Sequence, residues 1–389
     1  MAGASRSLVE SFQERYGAGE KPRVFRAPGR TNLIGEHTDY NDGFVMPAAI
    51  EFSTWVAAAA RPDRKLAIYS ENFSESREFP LDDPEAKGQK HWSDYVRGVA
   101  VALERSGHRV SGADLYIRGE VPIGSGLSSS AAIEVSTALA LLAISGISLD
   151  RKQIALLGQR AENEFVGMRC GIMDQFISCH GQANHALMID CRSLDYRLLP
   201  LPPSVRLVIS NTMVHHALAG GEYNKRRADC EAGVQHLAQF LPGIKALRDV
   251  TVPQLERYGN GLPEVVYRRC RHVVSEDGRM EQAAVALQSG ALATFGELMY
   301  ASHASLRIDY EVSCQELDIM VDLASNVKGV CGARMTGGGF GGCTINLVEA
   351  GHVDEFKATV AAGYEKATGK TPVIYVTSAV NGAEEVTPA

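Results

Sequence analysis

Apolar and polar positions follow two rhythms along this chain, and the rhythm changes often. Short apolar runs and stretches of alternation, bounded by turn residues, predict strands at Arg23–Ala27, Phe44–Ile50, Thr54–Ala60, Leu66–Ser70 and Ala113–Arg118. The last leads into a Gly/Ser loop and then an Ala-rich apolar pattern, Ala131 to Ile144, that predicts a buried helix. Asp150 followed by Gln153 has the form of a capping box, opening an amphipathic helix that runs to about Phe165. Strands are predicted again at Ala186–Cys191 and Arg206–Asn211. The second half is richer in the helical period: Glu222–Leu241, a short segment near Pro253–Tyr258, Met280–Leu306 with a Gly interruption, and Cys314–Asn326. Strands return at Cys343–Val348 and Val373–Thr377. Such mixed ordering predicts an α+β protein, short sheets covered by helices, over a regularly wound parallel sheet. The loop Leu199-Pro200-Leu201-Pro202-Pro203 is the clearest boundary, dividing the chain into 1–200 and 201–389.

Composition narrows the classes of function. With 389 residues the chain is long enough for two cores, and 45% hydrophobic with 22% charged residues is ordinary for a soluble globular protein. A net charge of −7 and the lack of a long basic run argue against general binding to nucleic acid or an anionic membrane. The N-terminal stretch has no apolar core of a secretory signal, and the apolar run from Ala131 to Leu149 carries Glu134, Ser, Thr and Gly, which suits a buried helix better than a membrane span. Eight cysteines without CxxC or metal-ligand spacing predict buried thiols in a reducing cytoplasm.

Four segments carry chemistry. VPIGSGLSSSAAIE, Val121 to Glu134, joins a small-residue loop to the start of a helix, so that backbone amides, hydroxyls and a helix dipole converge on one spot suited to phosphate. It lacks the Gly-Lys-Ser/Thr ending of a Walker A loop, and a serine-capped turn would use the same residues. The segment Ala27 to Tyr40 places Arg30, Glu36, His37 and Asp39 among glycines, a set suited to a hydroxyl-rich ligand. Its acids and His do not match a zinc spacing. Thr336 to Cys343 holds five glycines in six positions, which suits a loop pressed against a ligand or another backbone, and equally a tight turn between Met335 and the strand at Thr344. Asp174, in the mostly apolar run Met168 to Phe176, is either a helix cap or a functional base.

In this order the four segments closely resemble the galactokinases of the GHMP small-molecule kinase superfamily. GRTNLIGEHTDYNDG (Gly29 to Gly43) resembles the segment that marks galactokinases, and CGIMDQF (Cys170 to Phe176) agrees with it. PIGSGLSSSAA (Pro122 to Ala132) and TGGGFGGC (Thr336 to Cys343) resemble motifs shared across the superfamily. The resemblance implies a two-domain GHMP kinase fold: an N-terminal part like ribosomal protein S5 domain 2, a ferredoxin-like C-terminal part, and an active site in the cleft between. The final strand is left free to join either sheet.

The implied reaction is transfer of the ATP γ-phosphoryl group to the C1 hydroxyl of α-D-galactose with Mg²⁺. By the same resemblance Asp174 is the catalytic base, and Arg30 orients the hydroxyl and offsets charge on the phosphoryl group. Arg30, Glu36, His37, Asp39, Gly171, Asp174 and Tyr223 match galactose-contacting positions. Gly124, Ser125, Gly126, Leu127 and Ser128 cradle the triphosphate, with Ser129 and Ser130 beyond them. Trp92 and Tyr95 border the adenine, and Ser130 with Glu162 holds the Mg²⁺, Ser129 being a near rival. Partners are the two small molecules, with no nucleic acid and no membrane; a monomer is compatible with the sequence. A sister kinase acting on N-acetylgalactosamine, arabinose or a uronic acid is disfavoured by the unbroken GEHTDYN. A non-catalytic sensor of galactose and ATP is disfavoured by the presence of Ser130-Ala131, Asp174 and Arg30.

Overall fold

A computed structural model describes residues 2–17, 19, 21–83, 86–214 and 219–387. Three sheets organise it. The first has six strands: β1 (Arg23–Asn32), β3 (Pro47–Arg61), β4 (Lys65–Ser70), β5 (Glu75–Pro80), β6 (Gly112–Gly119) and β13 (Glu384–Glu385), in the order β13-β1-β3-β6-β4-β5. All neighbours are antiparallel except β4 and β6. A three-stranded sheet joins β2 (Phe44–Val45), β7 (His185–Asp190) and β8 (Tyr196–Pro200). The third contains β9 (Val205–Asn211), β10 (Val330–Thr336), β11 (Cys343–Glu349) and β12 (Val373–Thr377), in the order β10-β11-β9-β12. Between β9 and β10 runs the helical region, and one helix separates β11 from β12; that connectivity and strand order are those of a ferredoxin-like sheet.

On one face of the six-stranded sheet lie α2 (Ser93–Arg105), α3 (Ser129–Ile144), α4 (Arg151–Arg160) and α5 (Met173–His180), sharing a core with Phe25, Val56, Ile68 and Leu115. Helix α1 (Ala2–Tyr16) closes the other face through Leu8 and Phe12 against Trp55 and Tyr116. α3 is buried on nearly all sides, as its apolar composition requires. The predicted capping box is present: Asp150 accepts from the Gln153 amide at 2.7 Å, and α4 then widens into a π-helical turn, Ala161–Val166.

The second half contains α6 (Ala219–Leu237), α7 (Val252–Tyr258), α8 (Glu264–Gln288), α9 (Leu292–Ser305), α10 (Gln315–Ser325) and α11 (Val353–Thr368). α10 and α11 pack Met320, Phe356, Val360 and Tyr364 on Val208 and Val348 of the third sheet. A further apolar cluster spans both halves, joining Leu33, Ile34 and Met46 to Met280, Phe295 and Ile345. After β12 the chain returns to the first sheet, where Glu384 and Glu385 of β13 pair Arg26 and Phe25 of β1.

Two predicted strands, Phe44–Ile50 and Thr54–Ala60, are rearranged into the short β2 and the long β3. The Glu51–Ser53 stretch reads as a break because of its two polar residues, yet β3 runs on through it, and the Glu51 amide donates to the hydroxyl of Thr377, the last residue of β12, at 3.2 Å. The helix predicted over Met280–Leu306 is two helices parted at Gly290, and the first begins sixteen residues earlier, at Glu264. Elements α1, α2, α5, α11, β5, β8, β10 and β13 lie outside the predicted segments; β5 is largely exposed and β8 ends in a Pro-rich loop. Among the described residues no helix is long and apolar enough to cross a membrane.

Candidate active site

The phosphate-loop motif, the sugar-type motif and the glycine-rich third motif meet at one cavity of about 630 Å³. Their meeting point is built by backbone first. β1 shifts register between Pro28 and Arg30, and a bulge of this kind re-aims the side chain beyond it. At Gly29 a Cβ would lie 2.6 Å from the Leu127 carbonyl, so only glycine lets the two segments approach there. The Arg30 amide then donates to that carbonyl at 3.0 Å. On the other flank Gly337 faces the Gly126 carbonyl and Gly342 the Ser125 carbonyl, both with positive φ. The glycines of the third motif are therefore explained in part by another backbone.

At the centre stands an arginine–aspartate couple. Arg30 donates from Nε to Asp174 Oδ1 at 2.8 Å and from Nη2 to Oδ2 at 2.9 Å, while Nη1 holds the Gly126 carbonyl at 2.5 Å. Arg30 is buried. Asp174 occupies the first turn of α5, and the Ser128 hydroxyl also donates to it. Ser128 sits in the left-handed region at φ 62° immediately before α3, so the loop turns sharply to bring its hydroxyl onto Asp174.

The sugar-type residues form one wall. Glu36 accepts from Arg334 Nη2 at 3.0 Å, and Arg334, fully buried (0% exposed), also donates to the Asn32 carbonyl at 2.9 Å. Burial raises the Glu36 carboxyl above its ordinary range against the pull of Arg334 and Arg30. Burial and the nearby His272 hold His37 well below its ordinary range, which makes its ring neutral. The ring is set by a hydrogen bond of 2.8 Å between Nδ1 and the Tyr40 hydroxyl, which meets the Tyr310 hydroxyl at 2.7 Å. Tyr223, from α6, stands 5.3 Å from the His37 ring. Burial, Asp174 and Glu36 together push Asp39 up to about 7. Gly171 lies so close to Asp39 that a Cβ would overlap its carboxylate, at 2.0 Å.

At the other end Trp92 stacks on Phe73, with ring centroids 5.5 Å apart at 12°, and its indole N–H donates to Glu75 at 2.9 Å. Phe73 and Ile123 are 47% and 55% exposed, and both line the cavity with Trp92 and Tyr95. Exposed apolar groups on a concave wall mark a place for a flat apolar ligand. Gly124, Gly126, Ser128, Ser129, Ser130 and Glu162 also line it, whereas Ser125 and Leu127 do not. The Ser125 hydroxyl turns away to the Pro122 carbonyl at 2.6 Å, and Leu127 belongs to the apolar cluster between the two halves.

Beneath Asp174 lies an acidic layer that the motifs do not announce. Gln175 Nε2 donates to Glu134 at 2.8 Å and to Glu162 at 2.7 Å. Burial, and then the charge of Asp174, push Glu162 up to about 7; burial and Glu162 raise Glu134 as well. The residues missed by sequence reasoning are of this kind: Glu134, Gln175, Arg334 and Tyr310 are buried partners of wall residues. Glu134 closes the Val121–Glu134 segment and Gln175 lies within Cys170–Phe176, yet neither residue type marks a role there; Arg334 stands three residues before the glycine run, and Tyr310 lies outside every motif. Phe73 also went unpredicted, lying between strands in a stretch without pattern. Among the described residues no group of three or more His, Cys, Asp and Glu side chains is arranged to hold a metal ion, and all eight cysteines are free.

Known proteins match this chain along nearly its whole length. Residues 10–60 match a galactokinase galactose-binding signature, 94–182 the GHMP kinases N terminal domain, and 283–366 the GHMP kinases C terminal. A galactokinase of Roseiflexus sp. (strain RS-1) is 49% identical over 380 residues, 97% of this chain and 96% of that protein. Another, from Chloroflexus aggregans, is 51% identical over 365 residues, 94% of each. The crystal structure of Lactococcus lactis galactokinase complexed with galactose superposes with a TM-score of 0.94 at 39% identity, covering 98% of this chain and 99% of that one. Methanococcus jannaschii mevalonate kinase, at a TM-score of 0.66 and 18% identity over 94% of this chain and 100% of its own, shares the fold. The chain belongs to the galactokinase family of the GHMP kinases.

Proposed function

We infer that this protein transfers the γ-phosphoryl group of ATP to the C1 hydroxyl of α-D-galactose, releasing galactose 1-phosphate and ADP. One observation carries the reading: the Arg30–Asp174 couple sits where the sugar-type wall meets the phosphate loop, and Arg30 is hydrogen-bonded to both sides. A nucleophile and a phosphoryl group bound on the two sides would meet at this couple. Phosphoryl transfer needs little covalent help from the protein, so positioning and charge neutralisation dominate.

In the forward step the C1 oxygen forms its bond to the γ-phosphorus while the bond to the β-phosphate bridging oxygen breaks. Asp174 orients the hydroxyl and receives its proton, and Arg30 offsets the charge on the transferred group. Glu36, His37, Asp39 and Tyr223 hold the sugar hydroxyls. Gly124, Gly126 and Ser128 offer the phosphate cradle, and Trp92, Tyr95 and Phe73 the adenine wall. Ser130 and Glu162 fit a Mg²⁺ ion: both offer oxygen at the cavity wall, and a cation there would offset the burial and the Asp174 charge that raise Glu162. When bound, Mg²⁺ would neutralise charge on the triphosphate. The free thiols suit a reducing cytoplasm.

The test is an ATP-consumption assay on galactose, N-acetylgalactosamine, arabinose and galacturonate, with the product identified by phosphorus NMR. Galactose 1-phosphate is the expected product, and Asp174→Asn is expected to lower turnover by about 10² to 10⁴-fold. Preference for another sugar, or an Asp174→Asn variant with near wild-type turnover, overturns the assignment.

A further inference from the structure

Helix α8 approaches the sugar end of the cavity from behind without lining it. Glu276 lies about one turn after His272, and Asp277 follows it directly. Each holds one backbone group of the loop between β1 and β2. His272 Nε2 donates to the Glu36 carbonyl at 3.0 Å, Glu276 Oε1 accepts from the Gly35 amide at 3.0 Å, and Asp277 Oδ1 accepts from the Phe44 amide at 3.0 Å. This loop carries Glu36, His37 and Asp39.

Contact is tight at both loop ends. A Cβ on Gly43 would lie 2.6 Å from Asp277 Oδ1, and one on Gly35 2.8 Å from Met280 Sδ. Glu276 is itself fixed from behind by the Ser302 hydroxyl and by Arg279 Nε at 2.6 Å. The loop passes through left-handed backbone at Gly35, His37 and Asp42. Such a conformation persists only where its surroundings over-determine it, and buried amides and carbonyls need partners. Here three of those partners come from side chains more than 230 positions away in sequence. None of the three lies within a matched family segment.

We propose that α8 is the clamp of the sugar loop: His272, Glu276 and Asp277 set the loop's shape, and thereby sugar affinity, as positioning residues that do not touch the sugar. The inference rests on the galactose reading above and deepens it. Because the clamp grips only the sugar loop, its loss moves the sugar constant and leaves the nucleotide constant where it was.

The experiment compares Asp277→Ala, Asp277→Asn and His272→Leu with wild type, each checked for folding by its melting curve. Asp277→Ala is expected to raise KM for galactose about fivefold to tenfold, with kcat and KM for ATP changed less than about twofold. Asp277→Asn keeps a carbonyl for the Phe44 amide and is expected to stay near wild type. Should Asp277→Ala not fold, His272→Leu, which removes the donor to the Glu36 carbonyl, reads the same split. An equal rise in both KM values, an unchanged galactose KM in the folded Ala variant, or an Asn variant as impaired as Ala overturns the clamp. The wild-type assay separates the two ideas. Inertness on galactose sinks the substrate assignment alone, and the KM split is then read with the sugar that is phosphorylated.

Discussion

At the phosphate end of the cavity the wall is largely backbone, with Gly126 facing Gly337 and the Ser125 carbonyl facing Gly342 across a few ångströms. At the sugar end the wall is side chains that lean on buried groups from other parts of the chain: Glu36 on Arg334, His37 on the Tyr310 ring, the loop itself on α8. A backbone cradle suits an anion that every nucleotide carries, because amides and glycine clearance do not depend on distant residues being charged. Recognition of one hexose needs donors and acceptors at set positions, which long-range contacts lock in place. The contrast matches the comparisons: the GHMP models cover the phosphate end, while the galactokinase signature covers the sugar loop.

That division can be broken at either end. The largest effect is expected from Arg334→Met, which leaves the buried Glu36 without its counter-charge. Removing one member of a buried pair costs about 3–5 kcal/mol, and KM for galactose should rise about 10- to 100-fold while KM for ATP holds. Steady-state kinetics in both substrates, with a melting curve, measure it; matched changes in the two constants would refute the division. A smaller effect is expected from Gly342→Ala, where a Cβ would sit 2.7 Å from the Ser125 carbonyl at φ 81°. Strain of this kind costs about 1–3 kcal/mol. It should fall on KM for ATP, with galactose binding in calorimetry little altered.

The smallest effect concerns pH. Burial pushes Asp277 up to about 7. The folded state therefore holds a proton that the unfolded chain releases near the ordinary Asp range, so this group's contribution to stability falls as pH rises from about 4 to about 7. Asp277→Asn has no such proton to lose. Its stability relative to wild type should improve across that window in denaturant titrations, and a difference that stays flat with pH would rule out the buried acid.

Motif residues were legible because their chemistry is local: glycine next to glycine, serine before an apolar helix, four polar groups within ten residues. Their partners were not. Glu134 in a run of alanines reads as one polar interruption of a helix, Arg334 as an arginine in a strand, Asp277 and His272 as ordinary members of a charged helix. Nothing in their neighbours along the chain distinguishes them. The same holds for β5 and β8, whose exposed faces leave no alternating pattern, and for β3, whose exposed Glu51 interrupts the apolar run although the strand continues through it.

By itself, then, the order of residues determined the α+β class, the phosphate-type loop, the sugar-type segment and the aspartate at 174, since each follows from short-range spacing and residue chemistry. Folding alone decided that Arg30 straddles Asp174 and Gly126, that two glycine loops face one another, and that α8 holds the sugar loop from behind. Those facts depend on which groups end up buried together once water is excluded, and burial is a property of the packed chain rather than of any stretch within it.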